Sequence, residues 1–404
     1  MTNIPSNNSQ PVVDLSRLDS ARKSANKIMV NRLTRKVESY PDTHLSDFLK
    51  HQFEVYPGLI ESLAESTDSE SGSNEEAPPP PKKPNAVPTD GTFEILQPLD
   101  SEVLALASKE HVDHTSDVLP GQLPKEFLIG LNGNLDAAET LHELNTTSVL
   151  GLGPSIVLKV GLFLDTDQIS NLEYVQSRCP DVPTPRCLGA FQYVNKTYFF
   201  MSRAPAMTLE GVWPTLSQSH KVSIRDQLSQ IFVKLRSQAP GISPETSGQL
   251  KLGSFATGKC KDTRRQQRVS DKTISTEAQF NDFLFQAPNR AMSQLIKALR
   301  SSMRDDHRMV MTHGDLHPRN IMVSWEQSQG GDEKGPEAEL KVTSILDWEL
   351  AGWYPEYWEY LKALNTVTPR GPLRDWPNFI PTKTIGCYPV EYAMDCVIDR
   401  WLGQ

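Results

Sequence analysis

The chain has no Cys-x-x-Cys pair; its five cysteines, Cys179, Cys187, Cys260, Cys387 and Cys396, are odd in number and scattered. That argues against a disulfide framework or a zinc ribbon and suits free thiols in a reducing compartment. No apolar run approaches the ~20 residues needed to cross a bilayer, so no membrane partner is expected. Positive charge is in deficit: 41 Lys and Arg against 50 Asp and Glu leave a formal net charge of −9. Such a surface has no general attraction for polyanions, and no nucleic acid is expected as a partner. A locally basic stretch, Lys251 to Val269, gathers Lys259, Lys261, Arg264, Arg265 and Arg268 against Asp262 alone. Without aromatics interleaved in the run it reads as a solvated face, with a phosphorylated or acidic ligand as the other use open to it.

The N-terminal segment carries no targeting signal strong enough to displace the cytoplasm as the expected location. Met1 to Pro11 is polar and lacks an apolar core, and Arg17 to Lys36, though rich in Arg, Lys, Ser and Ala, lies beside Asp14 and Asp19. An ordinary solvated helix is favoured there over a transit peptide.

What is present is length for a sizeable core, with 404 residues of which 38% are hydrophobic. Four segments are expected. Residues 1–61 form an N-terminal extension with helical patches, Ile28, Met29, Leu33 and Val37 falling at rough helical spacing. Residues 62–90 are an acidic and Pro-rich linker that cannot bury enough apolar surface to offset its ordering entropy. Residues 91–204 and 205–404 follow as two lobes.

The most informative residues are Thr312-His313-Gly314-Asp315-Leu316-His317-Pro318-Arg319-Asn320, followed by Ile345-Leu346-Asp347-Trp348-Glu349. In protein kinases an Asp five residues before an Asn accepts or orients a hydroxyl proton while the Asn holds a metal ion, and a later strand-end Asp ligates Mg²⁺. Asp315, Asn320 and Asp347 fit those three roles. The bland alternatives are turn capping by Asp and Asn, and a zinc pair at His313 and His317, which Pro318 opposes by favouring a loop.

HGDLHPRNI resembles the catalytic loop of the aminoglycoside phosphotransferase and choline kinase group, and Asp347-Trp348-Glu349 looks like that group's counterpart of Asp-Phe-Gly. The resemblance, nearest to the fungal branch of these phosphotransferases, covers roughly residues 145 to 370. It implies an α+β, protein-kinase-like bilobal fold with a small β-rich N-lobe, a mostly helical C-lobe and a partly disordered N-terminal extension. It implies ATP and Mg²⁺ as cofactors and a small hydroxylated molecule as acceptor. His313 and Asp315 form the catalytic set, with His313 anchoring the loop, and Asn320 and Asp347 hold the metal.

Nucleotide contacts are expected from Lys159, closing the strand Ile156-Val157-Leu158, with Glu173 on the next helix as its partner. Gly151 to Pro154 is read as the preceding hairpin turn, a tight one rather than a generous Gly-rich loop. Val182 to Gly189 leads into the last N-lobe strands, and Met201 to Ala204 are placed at the hinge. Helices are expected over Leu209–Trp213, Ser223–Leu235 and Phe280–Leu299, and Gln327–Glu339 is a long hairpin loop. Tyr354, Tyr357, Trp358 and Tyr360 are read as helical core first and as a cage for a cationic or aromatic substrate second.

Two rival functions stand beside small-molecule phosphotransfer. A pseudokinase serving as an interaction module is favoured by the missing Gly-rich loop and opposed by the intact Asp315, Asn320 and Asp347. A protein kinase is opposed by the absence of an Ala-Pro-Glu element.

Overall fold

A computed structural model describes residues 22–26, 28–30, 32–33, 45–65, 85–107, 122–144, 146–204, 207–240, 250–262, 268–286, 293–326, 339–365 and 370–402. They divide into two compact units, the described residues of Met1–Lys82 and those of Lys83–Leu402. In the first, Ile28, Met29 and Leu33 are helical and the helix Ser46–Glu65 follows, while Val37 lies outside the described residues. Arg32 and Tyr56 tie these segments together by bonds to Gln52 (3.0 Å) and Asn26 (2.5 Å).

The second unit opens with a six-stranded antiparallel sheet. Its strands are β1 (Glu94–Gln97), β2 (Glu139–Leu144), β3 (Thr147–Leu152), β4 (Ile156–Leu162), β5 (Cys187–Tyr193) and β6 (Lys196–Ser202), in the spatial order β1-β5-β6-β4-β3-β2. The period of two in β6 explains its two faces. Tyr198 and Phe200 join Leu150, Leu158, Phe191 and the helix Lys125–Asp136 on one side. Phe199 packs on the other with Ile169, Leu172 and Val175 of the helix Asp167–Arg178.

The ordered body begins earlier than the expected linker boundary. Val87 is buried, exchanges two 2.7 Å bonds with Asn132, and Ala86 O accepts from Tyr198. Ser62–Glu65 are still helical, and the stretch from residue 66 to residue 84 lies outside the described residues. Strand β4 also runs past Lys159 to Leu162, because Val160 and Gly161 continue to pair with β3 and β6.

Beyond the sheet the unit is mainly helical. The helix Gln218–Arg236 buries Ile224, Leu228, Ile231, Phe232 and Leu235, the face expected from its periodicity. Four short strands frame the candidate site: β7 (Met207–Thr208), β10 (Met309–Thr312), β11 (Ile321–Glu326) and β12 (Glu339–Ile345). Between β7 and β10 the pair β8 (Lys261–Asp262) and β9 (Arg268–Val269) forms a separate ribbon, and β13 (Gly352–Pro355) pairs with β10. The loop joining β11 to β12 lies outside the described residues, but its base is a Glu326–Glu339 pair.

Three expectations change here. Phe280–Leu299 is two helices, Glu277–Phe285 and Gln294–Ser302; Gln286 leaves the first with extended backbone. Tyr354 lies on β13, not on a helix; Tyr354, Tyr357 and Trp358 are fully buried, as the core reading expected, and form no substrate cage. The cation on Trp358 is internal, with Lys362 Nζ 4.0 Å from the ring centroid. Within the basic run, Lys261 is buried against Asp165 and Asp167 and Arg268 pairs with Asp262, so these two charges serve internal carboxylates. Arg264 and Arg265 lie outside the described residues. Among the described residues no helix is long and apolar enough to cross a membrane.

Candidate active site

Strand β10 delivers the chain into the loop that starts at His313, and the 3₁₀ turn Pro318–Asn320 returns it into β11. His317 caps that turn by accepting from Arg319 N at 3.1 Å, and Pro318 presets its first φ. Gly314 sits at φ 77, where a Cβ would lie 2.8 Å from Leu350 O, so the tight passage under the following segment requires glycine.

His313 is fully buried and holds the loop at both nitrogens. Its Nδ1 accepts from Asp315 N (3.1 Å), which assigns the proton to Nε2, bonded to Leu346 O at 2.9 Å. Its ring meets Trp348 edge-on with centroids 4.7 Å apart. Both ring nitrogens are thus engaged in protein hydrogen bonds, and among the described residues no group of three or more His, Cys, Asp or Glu has the geometry to hold a metal. The zinc reading of His313 and His317 is opposed by the first of these, since neither His313 nitrogen has a lone pair left for a metal.

Asp315 is buried to 5% exposure, and its Oδ2 accepts from Asn320 Nδ2 (2.9 Å) and from Arg319 Nη2 (3.3 Å). Asn320 Nδ2 also donates to Asp315 O at 3.0 Å, so one side chain fixes both the loop and its carboxylate. Leu346 N donates to Asn320 O at 2.8 Å, which places Asn320 and Asp347 at the same end of the β11–β12 pair. Asp347 adopts the left-handed conformation, φ 64 and ψ 68, which Asp tolerates better than most residues.

From the sheet side Lys159 Nζ reaches Asp347 Oδ1 at 3.0 Å and Glu349 Oε2 at 3.4 Å. Burial alone would lower the Lys159 pKa, but the two carboxylates outweigh it and hold the ammonium charged well above its ordinary range. Burial would raise the Asp347 carboxyl, and Lys159 reverses this, keeping it below the usual carboxylate range. Glu349 is pushed up by the Asp347 charge and then by burial. The site is therefore one cation set between two carboxylates of unequal acidity.

Glu173 does not meet Lys159. The buried face of its helix runs through Gln168, Ile169, Asn171, Leu172 and Val175, the i, i+3, i+4, i+7 pattern, and Glu173 falls off that stripe. Burial alone raises its carboxyl, and it forms no ion pair among the described residues. Met201 is a β6 residue opposite Val157 and Cys187 and is packed on the core, with Ala204 just beyond the strand end. Next to Ala204, Arg203 donates to Ser155 O from its backbone N (2.7 Å) and to Gly153 O from its side chain (3.0 Å). The Gly153–Ser155 turn is thus held at the Ser202 end of β6, and Gly151 is a strand residue.

Two further residues escaped sequence reasoning. Glu349 was legible only as the third residue of its motif, with nothing to say that Lys159 would choose it. Glu359, on the helix Trp358–Asn365, is fully buried and its Oε2 accepts from His313 N (2.6 Å) and Gly314 N (3.3 Å), clamping the start of the loop. Glu359→Ala leaves both amides unpaired, and the expected result is a loss of about 2 kcal/mol or more. Chemical denaturation checks this; a variant as stable as wild type would show that the loop holds itself.

Residues 167–377 match the model of the phosphotransferase enzyme family. Nothing among curated protein sequences matches the chain. Among solved structures, aminoglycoside-3'-phosphotransferase of type VIII is 13% identical with a TM-score of 0.41, the match covering 68% of this chain and 97% of that one. The aminoglycoside phosphotransferase APH(3'')-Id from Streptomyces rimosus is 16% identical with a TM-score of 0.39, covering 67% and 94%. Aminoglycoside 2'-phosphotransferase-IIIa in its GDP complex is 11% identical with a TM-score of 0.40, covering 66% and 82%. The family match takes in Asp315, Asn320 and Asp347 and spans more than half of the sequence, so this chain, an α+β protein, belongs to the phosphotransferase enzyme family.

Proposed function

We propose that the protein transfers the γ-phosphate of ATP to a hydroxyl group of a small molecule. The observation that carries this reading is the convergence of Asp315, Asn320 and Asp347 at neighbouring ends of β10, β11 and β12, with Lys159 reaching the same point from the sheet. Asp315 accepts the proton of the acceptor hydroxyl. Asn320 keeps that carboxylate aimed through its amide donor, leaving its carbonyl oxygen as a ligand atom.

The donor set suits Mg²⁺: carboxylate oxygens from Asp347 and Glu349 and an amide oxygen from Asn320 are the hard ligands that ion takes. When bound, Mg²⁺ with ATP supplies charge neutralisation across the β- and γ-phosphates. Lys159, held here by Asp347 and Glu349, provides the fixed cation toward which phosphate oxygens are drawn. Met201 and Ala204 are the proposed adenine-side positions, where backbone groups do the recognition. In this reading residues 1–82 are an appendage to the phosphotransferase body.

ADP release measured with Mg·ATP across hydroxylated amines, amino sugars and other small alcohols tests the reaction; release equal to the acceptor-free background with every acceptor in the panel would count against it. Lys159→Met keeps the hydrophobic stem and loses the ammonium, so weaker Mg·ATP binding without unfolding is expected. Wild-type affinity and turnover in that variant would remove Lys159 from the site.

The pseudokinase reading retains one supporting observation. The β2–β3 connection is short and its described residue, Thr146, is tied to Leu162 instead of opening into a phosphate-covering loop. It predicts Mg·ATP binding with no phosphoryl transfer. Against a protein kinase stands the passage from Asp347 through the single turn Trp348–Leu350 directly into β13, with no segment long enough to bind a peptide.

A further inference from the structure

Asn171 is a fully buried amide with every hydrogen-bonding group in use. Its Nδ2 donates to Trp348 O and Ala351 O, both at 3.1 Å, on the turn that follows Asp347. Its Oδ1 accepts from Ser254 Oγ and Phe255 N, both at 3.0 Å. The 250–262 segment that supplies those donors is itself fastened on both sides. Gly253 and Trp353 exchange backbone bonds of 2.8 and 2.9 Å, and Phe255 stacks on Tyr174 with ring centroids 4.4 Å apart. Thr257 and Lys261 bond Asp167 at 2.8 and 2.7 Å at the start of the same helix.

We propose that Asn171 is a positioning residue for Asp347: through it, the helix Asp167–Arg178 holds the turn that aims the metal carboxylate. This rests on the phosphotransfer reading, which makes Asp347 the metal ligand. The physical argument is that Asp347 sits in a left-handed conformation that the backbone does not favour by itself. A turn entered that way keeps its direction only if its carbonyls are held, and the Asn171 amide holds two of the four carbonyls from Trp348 to Ala351. The ion pair from Glu173 to Lys159 is absent, so the linkage between this helix and the site runs through the Asn171 amide instead of through the lysine.

The test is a Mg²⁺ titration of the full-length protein at fixed ATP, read by calorimetry, beside metal-free ATP binding and a thermal melt. Asn171→Asp keeps the acceptors facing Ser254 and Phe255 but turns a carboxylate oxygen toward two carbonyls. The half-saturating Mg²⁺ concentration is expected to rise by about tenfold or more, the usual effect of losing a group that orients a metal ligand. Metal-free ATP affinity should be unchanged. If this variant fails to melt cooperatively, the smaller Asn171→Ser carries the test, with a rise in the same direction. Ser254→Ala, which loosens only the far side, should melt lower with unchanged Mg²⁺ dependence.

Wild-type Mg²⁺ dependence in a folded Asn171 variant overturns the inference, as does an equal rise in Ser254→Ala, which would make the effect general loosening. Absence of Mg²⁺-dependent ATP binding in the wild-type protein overturns the phosphotransfer reading itself and the inference with it.

Discussion

Replacing Asp347 is expected to abolish Mg²⁺-dependent nucleotide binding while leaving the protein folded. The loss should exceed the roughly 10–100-fold seen when a mere outer partner of a metal ligand is removed, because here the proposed ligand itself goes. The left-handed backbone at this position dictates the choice of variant. Alanine pays about 1–2 kcal/mol there, whereas asparagine adopts the conformation readily, so Asp347→Asn separates lost ligation from lost stability. Lys159 keeps Glu349 as a counter-ion in either variant, so no buried charge is stranded. Calorimetric titration of Mg·ATP checks the expectation; wild-type affinity in a folded Asp347→Asn protein would remove the metal role.

Asp315→Asn carries the second large effect, a fall in turnover of roughly 10²-fold or more with nucleotide binding retained, the usual size of a general-base contribution. The geometry makes this substitution clean. The Asp315 oxygen that accepts from Asn320 and Arg319 is replaceable by an amide oxygen, so the loop keeps its bonds and loses only the proposed base. Steady-state kinetics with an acceptor found in the panel decide it. Equal turnover by the variant would mean that some other group takes the proton.

The motif residues were legible because their chemistry is local. Asp315 and Asn320 lie on one turn of chain, so a fixed spacing implies a fixed geometry, and Asp347 follows a strand whose partner begins at Ile321, next to Asn320. The hairpin of β3 and β4 and the buried face of the helix Gln218–Arg236 were likewise periodicity made visible. Lys159 was placed correctly on its strand, though not at its end, because a strand's stopping point depends on whether its neighbours go on pairing.

Partners across the fold were not legible. Glu173 was the acid read on that helix, but a helix presents only one stripe, and which stripe faces the site depends on packing that no spacing records. The sequence by itself determined the acid–amide–acid constellation, the strand order of its carriers along the chain and the phosphotransferase family. The tertiary structure decided what holds those groups: Glu349 beside Lys159, Glu359 under the loop amides, Asn171 on the turn after Asp347, and the aromatic residues in the core. Each is a contact between segments far apart in sequence, chosen by shape and by the need to satisfy buried polar groups, and neither requirement leaves a local pattern to read.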